Sequence, residues 1–292
     1  MITDQLRTPN GVEAGSKATF DLDLGNLYRE LWLRVTVAAG DKVYNQIVEE
    51  ITVDVNGKPQ RVHTAEELNG INILHDANLA VKTSGSILGG DLVSYIPLFL
   101  AEDFRKNVDR GLALGWNAIG IRSLQLKVKI NAAIVSPSLS GWGVWDRADT
   151  GRALGPITKW KRQDLDAVGT PKDFGKVFDV GGNQDNFLQS VHLWPTSTGT
   201  LRYATDVELK LNNEIVHKRD YLQNQAVHVA KGMTPDTITP LTPRYDLVFD
   251  ESDSISDVRN LTQVNKQNLK VTFDGAPNGT MKVHTLETGP VE

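Results

Sequence analysis

The sequence predicts an all-β protein that contains two similar β-sandwich domains in tandem, each with a short inserted helix. The first indication is alternation of apolar and polar residues, which is typical of strands half buried in antiparallel sheets. The second is an internal repeat, because the strand, turn and return strand at 53–63 recur at 208–217. A repeat of about half the chain indicates two domains, since solenoid repeats span roughly 20–50 residues.

The strands of the first half follow from this alternation. Apolar residues at every second position predict strands at 20–24, 31–37 and 51–55. The last of these ends at Asn56-Gly57, a strong hairpin signal because both residues tolerate positive φ angles. The chain is then expected to return as a strand over 58–63.

A helix and two further strands complete the first half. Thr64 and Glu67 have the spacing of a capping box, which predicts a helix that begins immediately after Thr64. Residues 92–100 predict a strand in which Pro97 indicates an edge, a bulge or a strand start. The alternation is strongest at 124–130, which predicts a strand with one buried and one wet face.

The second half repeats this order of elements. Strands are predicted at 157–163, 187–194 and 207–211, and the last leads into a turn at Asn212-Asn213. Asp220 with Gln223 three residues later predicts the start of a helix. The apolar stripe of this helix is expected to consist of Leu222, Ala226 and Val229. The remaining predictions are a helix at 254–264 and strands at 245–249, 269–273 and 281–285.

Short strands, hairpin turns and one helix at the same place in each half predict two eight-stranded jelly rolls, together a double jelly roll. Immunoglobulin-like domains fit less well, because the sequence lacks their cysteine pair and because helices inserted between strands are less expected in them. Residues 1–136 form the predicted N-terminal jelly roll and 157–292 the C-terminal one. Between them periodicity stops at 137–156, where Gly, Ser, Pro and Trp predict a linker.

Composition excludes several classes of function. The net charge of −5 provides no excess of cations for a phosphate backbone, so direct binding of nucleic acid is not expected. The chain has no cysteine, which removes disulfides, thiolate metal sites and cysteine nucleophiles. The N-terminus lacks the pattern of a signal peptide, and apolar runs are too short to predict a membrane span.

No catalytic, cofactor-binding or metal-binding residue is predicted. A metal enzyme on a tandem jelly roll would need clustered histidines with a carboxylate, and such a cluster is absent from the sequence pattern. The histidines are dispersed and predicted to be structural: His63, His75, His192, His217, His228 and His284. A weak structural cation such as calcium is the one exception considered, at the acidic segments 179–185 and 250–253.

Tryptophans outside the periodic strands are candidates for an interface. Trp142 and Trp145 lie in the predicted linker, and Trp116 lies between glycines. Aromatic side chains of this kind often anchor contacts between proteins, because they bury a large area. Two other uses remain open, a seam between the two sandwiches of one chain and stacking against sugars.

Three segments resemble the first-domain core of double jelly-roll major capsid proteins from tailless icosahedral phages with an internal membrane, the corticovirus and tectivirus type. They are 94–106, which contains Phe104 and Arg105, together with 112–115 and 121–130. Because they lie in the resembling core, Phe104 and Arg105 join the tryptophans as candidate interface residues. The resemblance covers about forty residues closely and extends loosely over the tandem layout.

The resemblance implies a structural coat protein without enzymatic activity. It implies homotrimers, each a pseudo-hexagonal capsomer of six jelly rolls, in an icosahedral shell around a membrane. Implied partners are neighbouring capsomers, penton and membrane-associated virion proteins, and peripheral contact with lipid. The implied location is the virion capsid, assembled in the host cytoplasm. A two-domain carbohydrate-binding or receptor-attachment protein is the alternative, in which Trp116, Trp142 or Trp145 would stack on sugar.

Overall fold

The chain divides into two compact units, Met1–Thr158 and Lys159–Pro290, in a computed structural model. The residues that the structure describes are 1–38, 44–84, 91–101, 116–117, 120–147, 156–178, 186–197, 203–235, 244–249 and 258–290. Strands dominate both units, and the helices between them are short. The predicted all-β class is therefore confirmed.

The first unit is built from two sheets. Strands β1-β10-β3-β7-β6 lie side by side in one sheet, in which β8 also pairs with β3, and the other contains β5-β4-β9-β2. The elements are β1 (Ile2–Gln5), β2 (Lys17–Asp21), β3 (Asn26–Ala38), α1 (Tyr44–Ile47), β4 (Val48–Val55), β5 (Lys58–His63), α2 (Ala65–His75), a 3₁₀ turn (Ala77–Leu79), β6 (Lys82–Ser84), β7 (Asp91–Phe99), β8 (Trp116–Asn117), β9 (Leu124–Ile130) and β10 (Ser138–Arg147).

The second unit repeats this plan. Its sheets contain β16-β13-β19-β11, in which β17 also pairs with β13, and β12-β18-β14-β15. The elements are β11 (Ile157–Val168), which begins at the boundary of the units, β12 (Lys172–Phe174), β13 (Phe187–Ser197), β14 (Ala204–Leu211), β15 (Glu214–Asp220), α3 (Tyr221–Ala230), β16 (Tyr245–Val248), β17 (Arg259–Asn260), β18 (Gln267–Phe273) and β19 (Asn278–Gly289).

Each unit buries the apolar side chains that alternate along its strands. In the first unit, Leu31 and Leu33 of β3 are fully buried, as are Leu126 and Val128 of β9. In the second, both sheets contribute to one core, with side chains such as Leu193, Leu209, Val271 and Val283. Burial of this apolar surface is the main favourable term in folding each sandwich.

The hairpin turns of the two units are anchored in the same way. Asn56 and Asn212 both have positive φ angles, of 53° and 50°. The Asn56 Oδ1 accepts from the backbone N–H groups of Arg122 and Ser123, at 2.6 and 3.3 Å, just before β9 begins. The Asn212 Oδ1 accepts from the two residues just before β18, at 2.9 and 3.2 Å. The repeat predicted from the sequence therefore extends to individual hydrogen bonds.

The two predicted capping boxes are also confirmed. At α2, Thr64 Oγ1 accepts from the Glu67 N–H at 3.1 Å, and the Glu67 carboxylate accepts from the Thr64 N–H at 2.7 Å. At α3, the Asp220 carboxylate accepts from the Gln223 N–H at 2.8 Å, and the Asp220 N–H donates back to Gln223 at 3.2 Å. Each box satisfies amides that have no partner inside the helix.

The prediction of a linker at 137–156 is wrong for 138–147, which form β10 between β1 and β3. The sequence pattern did not show this strand, because glycines occupy its core-facing positions, where an alternating strand normally has apolar side chains. A Cβ on Gly141 would lie 3.1 Å from a methyl of Leu6, and one on Gly143 would lie 2.6 Å from the Trp145 ring. The neighbouring side chains fill that space instead, so the first unit extends beyond the predicted end at residue 136.

The helix predicted at 254–264 is wrong where the structure describes it. Residues 259 and 260 form β17, which pairs with Phe187 and Leu188 of β13. Val258 and Leu261 on either side are buried. A strand of so few residues, flanked by two apolar residues, is too short for the spacing of its apolar positions to distinguish a strand from a helix. Residues 250–257 lie outside the described part of the chain.

Candidate interaction surfaces

Trp142 belongs to a group of four aromatic side chains on the face of the β10-β3-β7 sheet that points away from the core. This aromatic patch consists of Trp32, Tyr95, Phe99 and Trp142, all partly exposed. Trp142 pairs in register with Trp32 and stacks on it, with ring centres 5.9 Å apart and planes at 2°. Tyr95 meets Trp142 edge-on at 5.6 Å, and Phe99 meets Trp32 edge-on at 6.2 Å.

The patch arises because side chains point to alternate faces of a strand. On β3, Leu31 and Leu33 point into the core while Trp32 between them points out. The Trp32 indole N–H donates to Glu30 at 2.7 Å, so its polar edge is satisfied within the strand. Aromatic side chains held rigidly at a surface lose little entropy on contact with a partner.

Trp145 lies beyond a register shift in β10, between Val144 and Trp145. Its ring meets Tyr28 edge-on with centres 5.7 Å apart, and it covers Gly143. Tyr28 is buried, and burial raises the pKa of its hydroxyl above the ordinary value. Trp145 therefore covers one end of the core while part of its ring stays exposed.

Trp116 is not on the surface, and its predicted role as an interface anchor or sugar platform does not fit its position. It is 1% exposed, and the Arg61 guanidinium lies 5.5 Å from its ring centre. A buried cation over an aromatic face adds electrostatic attraction to packing. Phe104 and Arg105, the other two candidates, lie outside the described residues.

The alternative of carbohydrate binding is also weakened at the two remaining tryptophans. Trp142 already stacks on Trp32 within the sheet, and Trp145 packs on Tyr28. A sugar ring needs an open aromatic face. One face of the Trp142 indole is occupied by Trp32, and the Trp145 indole is held against Tyr28, which leaves less open aromatic surface than two free indoles would offer.

Helix α3 presents the predicted apolar stripe to solvent, whereas the apolar side of a surface helix normally faces the core. Leu222 is 72% and Val229 62% exposed, and Ala226 between them is exposed as well. The buried side chains of α3 are Tyr221, Asn224 and His228. We call Leu222, Ala226 and Val229 the α3 stripe.

Polar partners beneath α3 explain this orientation. The Asn224 side-chain amide donates to the backbone carbonyl of Asp246 at 2.6 Å. Both groups are buried, so this carbonyl would lose its side-chain donor if the helix turned its apolar side inward. Periodicity in the sequence located the stripe but could not show which side of the helix meets polar partners.

A buried polar network lies beside α3. Arg244 Nε donates to both carboxylate oxygens of Asp246, at 2.6 and 2.9 Å. His192 Nδ1 lies 2.7 Å from the same carboxylate, and Ser190 Oγ lies 2.8 Å from His192 Nε2. All four side chains are nearly or completely buried. Sequence reasoning missed this network, because no local spacing connects β13 with β16.

Ser190, His192 and Asp246 contact one another in the same order as the Ser-His-Asp triad of a hydrolase, but their burial makes the arrangement structural. Ser190 is only 2% exposed, so no substrate carbonyl reaches its hydroxyl. Burial lowers the pKa of His192, which keeps its imidazole neutral and able to donate to Asp246 and accept from Ser190. Burial alone would raise the pKa of Asp246, but the Arg244 charge and the His192 hydrogen bond hold it well below its usual range.

His217 gives the second unit a measurable dependence on pH. Burial, and then the positive charge of Arg219, lowers the pKa of His217 to about 3. The unfolded chain takes up this proton below about pH 6.5, whereas the folded chain does not. We expect the free energy of unfolding to be unaffected by this group above pH 6.5 and to fall by up to about 1.4 kcal/mol per unit as pH drops toward 4.

Denaturant unfolding of the wild type and His217→Gln at pH 7.0, 6.0, 5.0 and 4.5 measures this effect. The variant should lose part of the acid dependence, since the glutamine does not titrate. The buried His192, whose pKa is also lowered, contributes in the same direction and should remain in both proteins. Equal slopes for the two proteins would contradict the assignment to His217.

The outer face of the β12-β18-β14-β15 sheet is polar rather than apolar. A row of alternating charges crosses the four strands in register: Asp173, Lys270, Glu208 and Lys218. Lys210 and Lys218 hydrogen-bond Glu208 at 2.6 and 2.9 Å and hold the pKa of this carboxyl below its usual value. Opposite charges directly across from one another stabilise strand pairing on a wet surface.

The described residues contain no group of three side chains that could hold a metal ion. The two acidic segments considered for a weak cation, 179–185 and 250–253, fall outside those residues, so that possibility stays a prediction. Across the described ranges, no helix is long and apolar enough to cross a membrane.

The family comparison identifies the first unit. Residues 3–146 match the family described as "Viral coat protein P2 N-terminal domain". This span runs from β1 almost to the end of β10, and so includes the strand that was predicted to be linker. None of the curated protein sequences compared with the chain matches it.

Solved structures share the fold over the whole chain. The major capsid protein P2 of bacteriophage PM2 is 14% identical with a TM-score of 0.79, and the match covers 100% of this chain and 98% of that one. The PBCV-1 virus capsid protein is 11% identical with a TM-score of 0.70, covering 98% and 92%. The STIV major capsid protein is 11% identical with a TM-score of 0.68, covering 98% and 95%.

These structures share the tandem arrangement of two sandwiches, and the double jelly roll predicted from the sequence is confirmed. The resemblance to capsid proteins noted at 94–130 is confirmed as well. The first unit therefore matches a family of viral coat proteins over residues 3–146, and the whole chain has the double jelly-roll fold of the viral capsid proteins compared with it.

Proposed function

We propose that this chain is a major capsid protein, a structural component of the virion without enzymatic activity. It forms homotrimers in which six jelly rolls make one pseudo-hexagonal capsomer of an icosahedral shell around an internal membrane. The observation that carries the proposal is the duplicated framework of the two units. Both anchor a hairpin through an asparagine and both start a helix with a capping box. Two similar rolls per chain, multiplied by a threefold axis, give a block with six similar sides.

The partners proposed for this shell are neighbouring capsomers, penton proteins and membrane-associated virion proteins, with peripheral contact to lipid. The aromatic patch, with Trp142 at its centre, and the exposed part of Trp145 are surfaces suited to such contacts between proteins. The net charge of −5 favours a shell that does not bind its genome directly. Assembly in the host cytoplasm and a function without any required cofactor belong to the same proposal.

Sedimentation and electron microscopy of the purified protein test the proposal. We expect a species with three times the mass of the 32.1 kDa chain and a six-sided outline in projection. Sedimentation over a wide concentration range separates a stable trimer from weak association, since an obligate trimer keeps its mass on dilution. A monodisperse monomer at all concentrations would contradict the proposed capsomer.

A further inference from the structure

The two inserted helices occupy equivalent places but turn opposite sides toward their units. Each follows a hairpin, and each starts with a capping box, at Thr64 for α2 and at Asp220 for α3. Helix α2 buries its apolar residues Leu68, Ile71 and Leu74 in the usual manner. Helix α3 instead buries polar residues and exposes the α3 stripe.

The second position of each helix shows the contrast most clearly. Glu66 in α2 and Leu222 in α3 both come two residues after the capping residue, and both are exposed. A glutamate there is stabilised by water and by the positive end of the helix dipole. An exposed leucine gains neither, and burying it against a partner removes its apolar surface from water, which favours association.

The exposure of the α3 stripe is not caused by a loosely held helix. The Asn224 amide is fixed to the Asp246 carbonyl at 2.6 Å, and Asp246 is fixed in turn by Arg244 and His192. These contacts determine the rotation of the helix about its axis. The stripe is therefore presented outward by a rigid, fully buried support.

The charge of α3 selects a protein over a lipid surface as the partner. No Asp, Glu, Lys or Arg occurs in Tyr221–Ala230, and the one histidine is buried. Helices that lie on membranes carry lysine and arginine on their polar side. The centres of protein interfaces are depleted of charged residues instead, and interfaces of obligate homo-oligomers are the most apolar.

We propose that the α3 stripe packs against a second copy of this chain, the neighbouring subunit of the same trimer; this rests on the proposed trimer. A cyclic trimer has a heterologous contact, so the stripe needs a different apolar surface on its neighbour. Val135 in the first unit and Val168 in the second, 67% and 58% exposed, are each a separate candidate for the counterpart on the neighbour.

The absence of cysteine from the natural chain makes the test specific, because one introduced cysteine is the only thiol. We expect Leu222→Cys in the assembled protein to react with a maleimide about tenfold more slowly than Glu66→Cys, the matched position of α2. Both residues are exposed in a single chain, so intrinsic accessibility does not produce this difference.

A second variant, Leu222→Asp, places a charge in the contact and should yield monomers that keep the far-ultraviolet circular dichroism of the wild type. If this variant does not fold, the labelling comparison alone decides. A wild-type trimer in which position 222 reacts as fast as position 66 would overturn the inference and leave the trimer standing. A wild type that sediments as a monomer would overturn the proposed trimer itself, and the inference with it.

Discussion

Asp246→Ala is expected to lower the free energy of unfolding by about 3–5 kcal/mol, because it leaves a buried arginine without its carboxylate. Arg244 donates to both oxygens of that carboxylate, and His192 depends on it for its Nδ1 hydrogen bond. No solvent reaches these side chains to compensate for the loss. Since the free energy of unfolding of a folded domain is only about 5–15 kcal/mol, this single change removes a large part of the stability of the second unit.

Denaturant unfolding monitored by circular dichroism measures this loss, and hydrogen exchange shows whether it is confined to 159–290. Asp23→Ala is the matched control, because Asp23 forms an exposed pair with Arg7 and such pairs contribute little. In the double variant Arg244→Met with Asp246→Ala, the cost should be less than the sum of the single changes. A loss of less than about 1 kcal/mol for Asp246→Ala would contradict a coupled buried network.

Arg61→Met is expected to destabilise the first unit by about 2–4 kcal/mol, because three backbone carbonyls lose a buried donor. The guanidinium donates from Nε to Thr158 at 2.9 Å, from Nη1 to Phe99 at 2.7 Å and from Nη2 to Leu100 at 3.4 Å. It also lies over the ring of Trp116. Methionine fills a similar volume, so the loss reports hydrogen bonding and charge rather than a cavity.

The same unfolding measurement with Arg61→Lys distinguishes charge from geometry. A lysine ammonium keeps the charge but cannot reproduce the planar fork that reaches three carbonyls, so a large part of the loss should remain. Arg34→Met is the control, since Arg34 is exposed on β3 and its replacement should change stability by no more than about 0.5 kcal/mol. A Met variant as stable as the wild type would show that these carbonyls find other donors.

The sequence predicted those parts of the fold that depend on neighbouring residues. Asn56-Gly57 specified a turn through its positive φ angles, and Thr64 with Glu67 specified a helix start. The alternation at 124–130 specified β9, which lies between β4 and β2. In each case the signal and its structural consequence lie within a few residues, so no tertiary information was required.

Strand β10 shows where local reasoning fails. Gly141 and Gly143 occupy core-facing positions because Leu6, Phe20 and Trp145 fill the space above them. A strand whose buried side is supplied by other segments has no alternation of its own to detect. The partners become evident only when β1 and β3 are placed on either side.

The candidate surfaces required the tertiary structure for a related reason. Trp142 was noticed as an aromatic residue outside the periodic strands, but its partners Trp32 and Tyr95 are far away in sequence. The α3 stripe was recognised as apolar, but its outward orientation depends on Asp246, which lies on another strand. The spacing of apolar residues in a helix shows which of them share one side, but the polar groups on which the helix packs decide which side is buried.

The anchored turns limit where this chain can be extended by inserted peptides. The tips at Asn56-Gly57 and Asn212-Asn213 look like exposed hairpin ends, which are the usual places to insert a foreign peptide. Each asparagine, however, holds the start of a strand that comes more than fifty residues later, at β9 or at β18. An insertion would move the side-chain oxygen away from the amides that it accepts from, so peptides for display on the particle belong at other loops.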